Sequence, residues 1–177
     1  MTVHKIKLWR CKICGDPYIG VAPPTRCPFC GAYEKFIVEA KDWKETFDVE
    51  LNDKDLGNAR HALEVEISNA QFYFCASKKT DDEEGKQLFK ALGRVEAEHA
   101  AIWKKILKMD KIEIPEYDKC STSNMDNLKE SHEREERAIK FYREAAKESE
   151  NQRVKQIFGA LVQVETDHLK LSEERMR

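Results

Sequence analysis

Glu96-Ala97-Glu98-His99 decides the fold of this chain, because the chain contains its pattern twice. Sixty-nine positions later, Glu165-Thr166-Asp167-His168 repeats the Glu-x-x-His spacing. The same offset, without a gap, pairs Glu66 with Glu135, Phe72 with Phe141 and Tyr73 with Tyr142. It also pairs Gln87 with Gln156, Phe89 with Phe158, Leu92 with Leu161 and Val95 with Val164. Self-similarity at a fixed offset marks a duplicated structural unit. The unit here is a helix pair. Leu56, Ala59, Leu63, Glu66, Ala70, Tyr73 and Ser77 fall at three- and four-residue steps and define one helix face. Thr80–Gly85 breaks that pattern, and its acids suit the positive end of a following helix. The second face carries Leu88, Phe89, Leu92, Glu96, His99, Ala100, Trp103 and Leu107. In the other half, Leu128, His132, Glu135, Ala138, Ile139, Tyr142 and Ala146 match the first helix. Phe158, Leu161, Val162, Glu165, His168 and Leu169 match the second.

A carboxylate in an apolar stripe is costly unless it is paired or bound to metal, which singles out Glu66 and Glu135. An i, i+3 spacing sets Glu96 and His99 on neighbouring turns of one face, so that Glu96 can bridge two metals and His99 bind terminally. One Glu-x-x-His is an ordinary surface pair. Two copies at a constant offset, each with an upstream Glu, outweigh that reading. Glu66, Glu96, His99, Glu135, Glu165 and His168 form the ligand set of a di-iron or di-manganese carboxylate centre in a four-helix bundle. His132 stands where the first half has Leu63. It is either a seventh ligand or proton donor, or a boundary residue facing solvent. Glu133 and Glu136 read as solvated charges. Tyr73 and Tyr142 follow Glu66 and Glu135 by about two turns. Each is placed to hydrogen-bond a metal-ligating carboxylate across the bundle, or else to pack as an amphipathic core tyrosine.

Residues 1–42 form a different module. Cys11-Lys-Ile-Cys14-Gly15 and Cys27-Pro-Phe-Cys30-Gly31 are two tight turns, each able to aim two sulfurs at one metal. Together they complete a tetrahedral four-sulfur site suited to zinc or a single iron. A segment this short has too little core to stand alone, so the metal must stabilise it. Trp9, Tyr18, Phe29 and Phe36 would shield the metal or form a small core. Cys75 and Cys120 have no partner motif. Cys75 reads as a buried small apolar residue and Cys120 as a thiol in a connecting segment.

Residues 43–53 link the module to a bundle spanning 54–177. Asn52, Asp53 and Asp55 are the candidate caps of the first helix, and Trp43 and Phe47 are expected to pack on the bundle. The crossover between the helix pairs, Asp110–Thr122, contains Pro115 and offers Ser121 or Thr122 as the next cap. Thirteen residues reach at most ~43–47 Å, barely the length of such a bundle. So taut a crossover permits helices to be exchanged between two chains.

The chain has 177 residues, 36% of them charged, and a formal net charge of -2. That balance gives no basic face for nucleic acid or anionic lipid. The N-terminus lacks the apolar core of a signal peptide, and no run approaches the ~20 residues of a membrane span. A soluble, cytoplasmic protein is expected, and in that reducing setting paired Cys-x-x-Cys motifs favour metal over disulfides.

These motifs resemble those of the rubrerythrin family over nearly the whole chain. Cys11, Cys14, Cys27 and Cys30 match its rubredoxin-like module, including Cys-Pro-Phe-Cys-Gly. Glu66, Glu96, His99, Glu135, Glu165, His168 and the Phe-Tyr dipeptides match its ferritin-like di-iron bundle. In the best-known members the module follows the bundle. Here it comes first, so the chain is similar to reverse rubrerythrins. The resemblance implies a mostly α fold, with a ferritin-like four-helix bundle preceded by a small β-rich module of rubredoxin-like or zinc-ribbon-like type. It implies two irons in the bundle and one iron, or zinc, on the four cysteines. It further implies reduction of hydrogen peroxide to water by a homodimer, whose electrons pass through the module next to the partner's di-iron site. An external NAD(P)H-dependent reductase or a rubredoxin would supply them. Many members carry an additional Glu near the third-helix ligand, and His132 or Glu136 would stand in for it here. Iron storage and oxygen-dependent oxidation are the competing activities.

Overall fold

The computed structural model describes residues 5–177. The expectation about a leader at the N-terminus falls partly on residues 1–4, outside them. Three short strands, β1 (Lys7–Cys11), β2 (Pro17–Gly20) and β3 (Ile37–Glu39), form an antiparallel sheet in the order β2-β1-β3. Four helices follow: α1 (Asp53–Lys79), α2 (Glu83–Ile106), α3 (Asn124–Glu148) and α4 (Gln152–Arg175). This is the ferritin-like bundle behind a small β-rich module. No described helix is long and apolar enough to cross a membrane.

Each helix starts where a side chain can satisfy its free N–H groups. Asn52 accepts from Asp55 N at 2.8 Å, and Asp82 accepts from Gly85 N at the head of α2. Asn151 accepts from Arg153 N and Val154 N to open α4. The third cap corrects the sequence reading. Ser123, rather than Ser121 or Thr122, accepts from Asp126 N at 3.3 Å, and Ser121 instead accepts from Ser123 N outside the helix. At the end of α2, Lys108 takes a left-handed φ of 54°, which stops the helix and turns the chain into the crossover.

Cys75 and Cys120 are joined as a disulfide, in contrast to the isolated thiols expected. It ties α1 to the crossover across a separation of 45 residues, and closing a loop of that size stabilises the fold by about 4 kcal/mol in the chain-entropy account. Spacing alone carried no sign of it.

The module does not hang free of the bundle. Ile13, Cys14, Cys30 and Ala32 share one buried core with Ala100, Ile102, Trp103, Ile157 and Phe158. Burying the larger of these side chains contributes roughly 1.5–3 kcal/mol each. Phe47 from the linker is buried in the same core, with Trp43 packed against it. Arg26 pairs with Asp167 of α4 at 3.1 Å, and the Tyr33 hydroxyl donates to the same carboxylate at 3.1 Å. Gly31 marks the closest approach. It has a φ of +72°, and a Cβ there would lie 2.8 Å from Val164 Cγ1 of α4. Gly31→Ala is therefore expected to cost about 1–3 kcal/mol and lower the thermal midpoint by about 2–12 °C. An unchanged midpoint in a melting experiment would contradict this packing.

Candidate metal centres

The first cluster is built by two turns of the module. Gly15 and Gly31 take φ values of +87° and +72°, which only glycine adopts freely, and their N–H groups donate to the Cys11 and Cys27 carbonyls at 2.9 Å. This geometry closes each turn and brings the four sulfurs together, with all four cysteines buried. Cys11 Sγ lies 3.7 Å from Cys30 Sγ, and Cys14 Sγ lies 3.7 Å from Cys27 Sγ. A tetrahedral site with metal–sulfur bonds of about 2.3 Å has edges of about 3.8 Å, so the set fits one metal ion. Ile13 N and Asp16 N donate to the sulfurs of Cys11 and Cys14 at 3.3 and 3.4 Å.

The second cluster lies inside the bundle. Each helix supplies its part: Glu66 from α1, Glu96 and His99 from α2, Glu135 from α3, Glu165 and His168 from α4. Glu66, Glu96, His99 and Glu165 converge on one point, and Glu96, Glu135, Glu165 and His168 on another. Glu96 and Glu165 belong to both. His99 Nδ1 lies 3.3 Å from Glu96 Oε2 and 3.1 Å from Glu165 Oε1. His168 Nδ1 lies 3.1 Å from Glu96 Oε1 and 2.9 Å from Glu165 Oε2. Each shared carboxylate thus turns one oxygen to each position, the disposition of a bridge between two metals.

The fit to a metal pair rests on atoms that nothing among the described residues satisfies. Glu66 Oε2, Glu135 Oε2, both oxygens of Glu96 and Glu165, and Nδ1 of both histidines are buried without a hydrogen-bond partner. Such groups cost about 1–3 kcal/mol each, and more when charged, unless a ligand takes them up. Tyr142 donates to Glu66 at 2.5 Å, and Tyr73 donates to Glu135. Each tyrosine therefore holds the carboxylate of the opposite half, through the oxygen that lies 3.7 Å from His99 Nδ1 in Glu66 and 3.9 Å from His168 Nδ1 in Glu135. Ser131 adds a contact to the Tyr73 hydroxyl at 2.9 Å, which the repeat did not foretell because its counterpart is Ala62.

His132 is not brought into either group. Its ring faces Ser172 Oγ at 3.5 Å and Glu136 at 3.7 Å, at the bundle's edge. Glu133 and Glu136 are exposed.

Burial pushes the Glu66 and Glu135 carboxyls well above the usual carboxylate range. Burial acts the same way on Glu96, but the nearby His168 and His99 rings outweigh it and hold that carboxyl below the range. Both histidines, despite burial, are held well above the ordinary imidazole range by the surrounding carboxylates. Protons therefore occupy this cluster near neutrality, and metal ions must displace them. The sign follows: raised pKa values mean that metal affinity rises with pH and is lost as pH falls. Loading two divalent ions at pH 7 is expected to release at least one proton, measured by calorimetry in buffers of different ionisation enthalpy. Uptake with no proton release would contradict this charge state.

The two centres touch through one residue. His99 turns Nδ1 to the carboxylates and places Nε2 2.9 Å from the Cys30 carbonyl oxygen. With Nε2 protonated, it donates there and leaves Nδ1 free for a metal. Module and bundle meet in this way within the chain.

A family model described as Rubrerythrin matches residues 58–176. Reverse rubrerythrin-1 of Clostridium acetobutylicum is 29% identical over 113 residues, covering 58% of this chain. The match spans 62% of that protein, less than two thirds of its length. No solved structure matches the chain.

Proposed function

Because the chain belongs to the rubrerythrin family, with its four-cysteine module ahead of the bundle, we propose that it reduces hydrogen peroxide to water at a di-iron centre. Cys11, Cys14, Cys27 and Cys30 would hold a single iron, which would supply one-electron redox chemistry beside that centre. The observation that carries this reading is the 2.9 Å contact between His99 Nε2 and the Cys30 carbonyl. A storage protein has no use for a second metal centre joined in this way to the first.

When bound, two ferrous ions supply the two electrons that, with two protons, turn one peroxide into two waters. The residues of the chain do the rest. Glu96 and Glu165 hold both metal positions at a fixed separation. Glu66 and His99 complete one position, and Glu135 and His168 the other. Tyr73 and Tyr142 act as positioning residues. Both phenols lie wholly inside the bundle, and burial is the first cause that pushes them well above the ordinary range. They therefore stay protonated and keep donating to Glu135 and Glu66. Glu66, Glu96, His99, Glu135 and Glu165 are wholly buried, and the His168 side chain is 11% exposed. The chain contains no Gly-x-Gly-x-x-Gly, so an external NAD(P)H-dependent reductase or a rubredoxin supplies the electrons. Module and bundle of one chain already meet at His99, and a homodimer would add the partner's module beside the same bundle.

Peroxide consumption by reduced, iron-loaded protein tests the reading. One peroxide should disappear per two electrons, and Tyr142→Phe should slow the reaction about 10–100-fold. Consumption at the rate of free ferrous iron, or release of dioxygen in its place, would contradict it.

A further inference from the structure

We propose that Arg153 and Lys105, two cations of the bundle, are positioning residues of the four-cysteine centre that raise its reduction potential. The proposal rests on the reading of that centre as an iron site. Arg153, at the head of α4, donates from Nη2 to the Ile13 carbonyl at 3.1 Å. Lys105, in the last turn of α2, donates from Nζ to the Cys14 carbonyl at 2.6 Å. Two different helices thus reach out of the bundle to the backbone of the same turn, between and beside two ligand positions.

The linker closes over both cations. Phe47 lies 5.0 Å from the Arg153 guanidinium and 5.3 Å from the Lys105 ammonium, measured to its ring centre. The same ring presses on Gly15, where a Cβ would lie 3.0 Å from it. Phe47, Cys11 and Cys14 are buried and Arg153 is half-buried, whereas the Lys105 side chain is 32% exposed and more screened. One ferric ion on four thiolates carries a net charge of −1, and its reduced form −2. A fixed cation in a poorly screened setting favours the more negative form, which raises the potential.

The environment of the two turns is unequal. The first turn receives both cations and the N–H donors of Ile13 and Asp16. The second presents its Cys30 carbonyl to His99 instead. The first turn therefore carries the positive charge, and the second carries the contact to His99. The two cations are also unequal. Asp16 and Glu98 each lie 3.9 Å from Lys105 and offset part of its charge. The other guanidinium nitrogen of Arg153 meets the neutral Gln156 at 2.7 Å. Arg153 should have the larger effect.

The test is an anaerobic spectroelectrochemical titration of the thiolate-to-iron absorption in the iron-loaded full chain. Arg153→Gln should shift the equilibrium at least tenfold toward the oxidised form, which is about 59 mV for one electron. Lys105→Gln should shift it in the same direction by less, and Arg153→Lys should restore most of the wild-type potential. A merely structural role would change the melting temperature and leave the potential where it was. If Arg153→Gln fails to hold its metal, Lys105→Gln still decides between the two. Iron-loaded Arg153→Gln or Lys105→Gln protein with the wild-type potential overturns the proposal alone. A wild-type module that takes up no redox-active iron overturns it together with the reading on which it rests.

Discussion

Glu96→Ala and Glu165→Ala should each empty the bundle of its metal pair while the four cysteines keep theirs. Each of these carboxylates lies within reach of both metal positions, so its loss removes a ligand from two sites at once. Removing Glu66 or Glu135 takes a ligand from only one. Substitution of a residue that merely supports a ligand typically costs 10–100-fold in metal affinity. Loss of a shared ligand should exceed that, leaving fewer than one bundle metal per chain after dialysis. The helices should still form. Without a metal the intact cluster keeps two imidazoles and four carboxylates largely out of water, so deleting one acid relieves as much repulsion as it removes pairing. Metal analysis alongside far-ultraviolet circular dichroism provides the check. Two metals retained in the bundle of either variant would show that Glu96 and Glu165 do not bridge.

Cys11→Ser should have the opposite pattern and a larger structural effect. A structural metal on four thiolates contributes on the order of 10 kcal/mol, comparable with the whole stability of a domain. The module has a three-stranded sheet of at most five residues per strand and little core of its own. Its remaining support is the bundle surface shared by Ile13 and Ala32 with Ala100 and Ile102. Losing the metal should loosen residues 5–50, so that limited proteolysis cuts there while α1–α4 and their two metals persist. A module that stays protease-resistant without metal would mean that packing on the bundle alone holds it.

The bundle was legible because duplication wrote its ligand pattern twice. Glu-x-x-His once is ambiguous, but a constant offset also aligned Glu66 with Glu135 and Tyr73 with Tyr142, and the structure brings these side chains into one interior. The cysteine turns were legible for a local reason, since ligand spacing and glycine sit within five residues. What escaped was non-local. Cys75 and Cys120 are far apart in the chain and meet only because the crossover runs back along α1. Ser123 caps α3 because of where the chain turns in space, and Ser121 was an equally good cap on composition. The contact of Arg153 and Lys105 with the first cysteine turn depends on how the module docks, and no periodicity encodes docking. The same holds for His99: its spacing announced a metal ligand, but not that its other nitrogen would meet Cys30.

The proposed function makes that contact the link between the two centres, and a single anaerobic experiment tests it. The fully reduced, iron-loaded protein is mixed with one equivalent of hydrogen peroxide while the thiolate-to-iron absorption is followed in time. If the centres are coupled through His99 and Cys30, the ferric thiolate colour should return as the peroxide disappears. Peroxide consumed while the colour stays bleached would contradict the coupling.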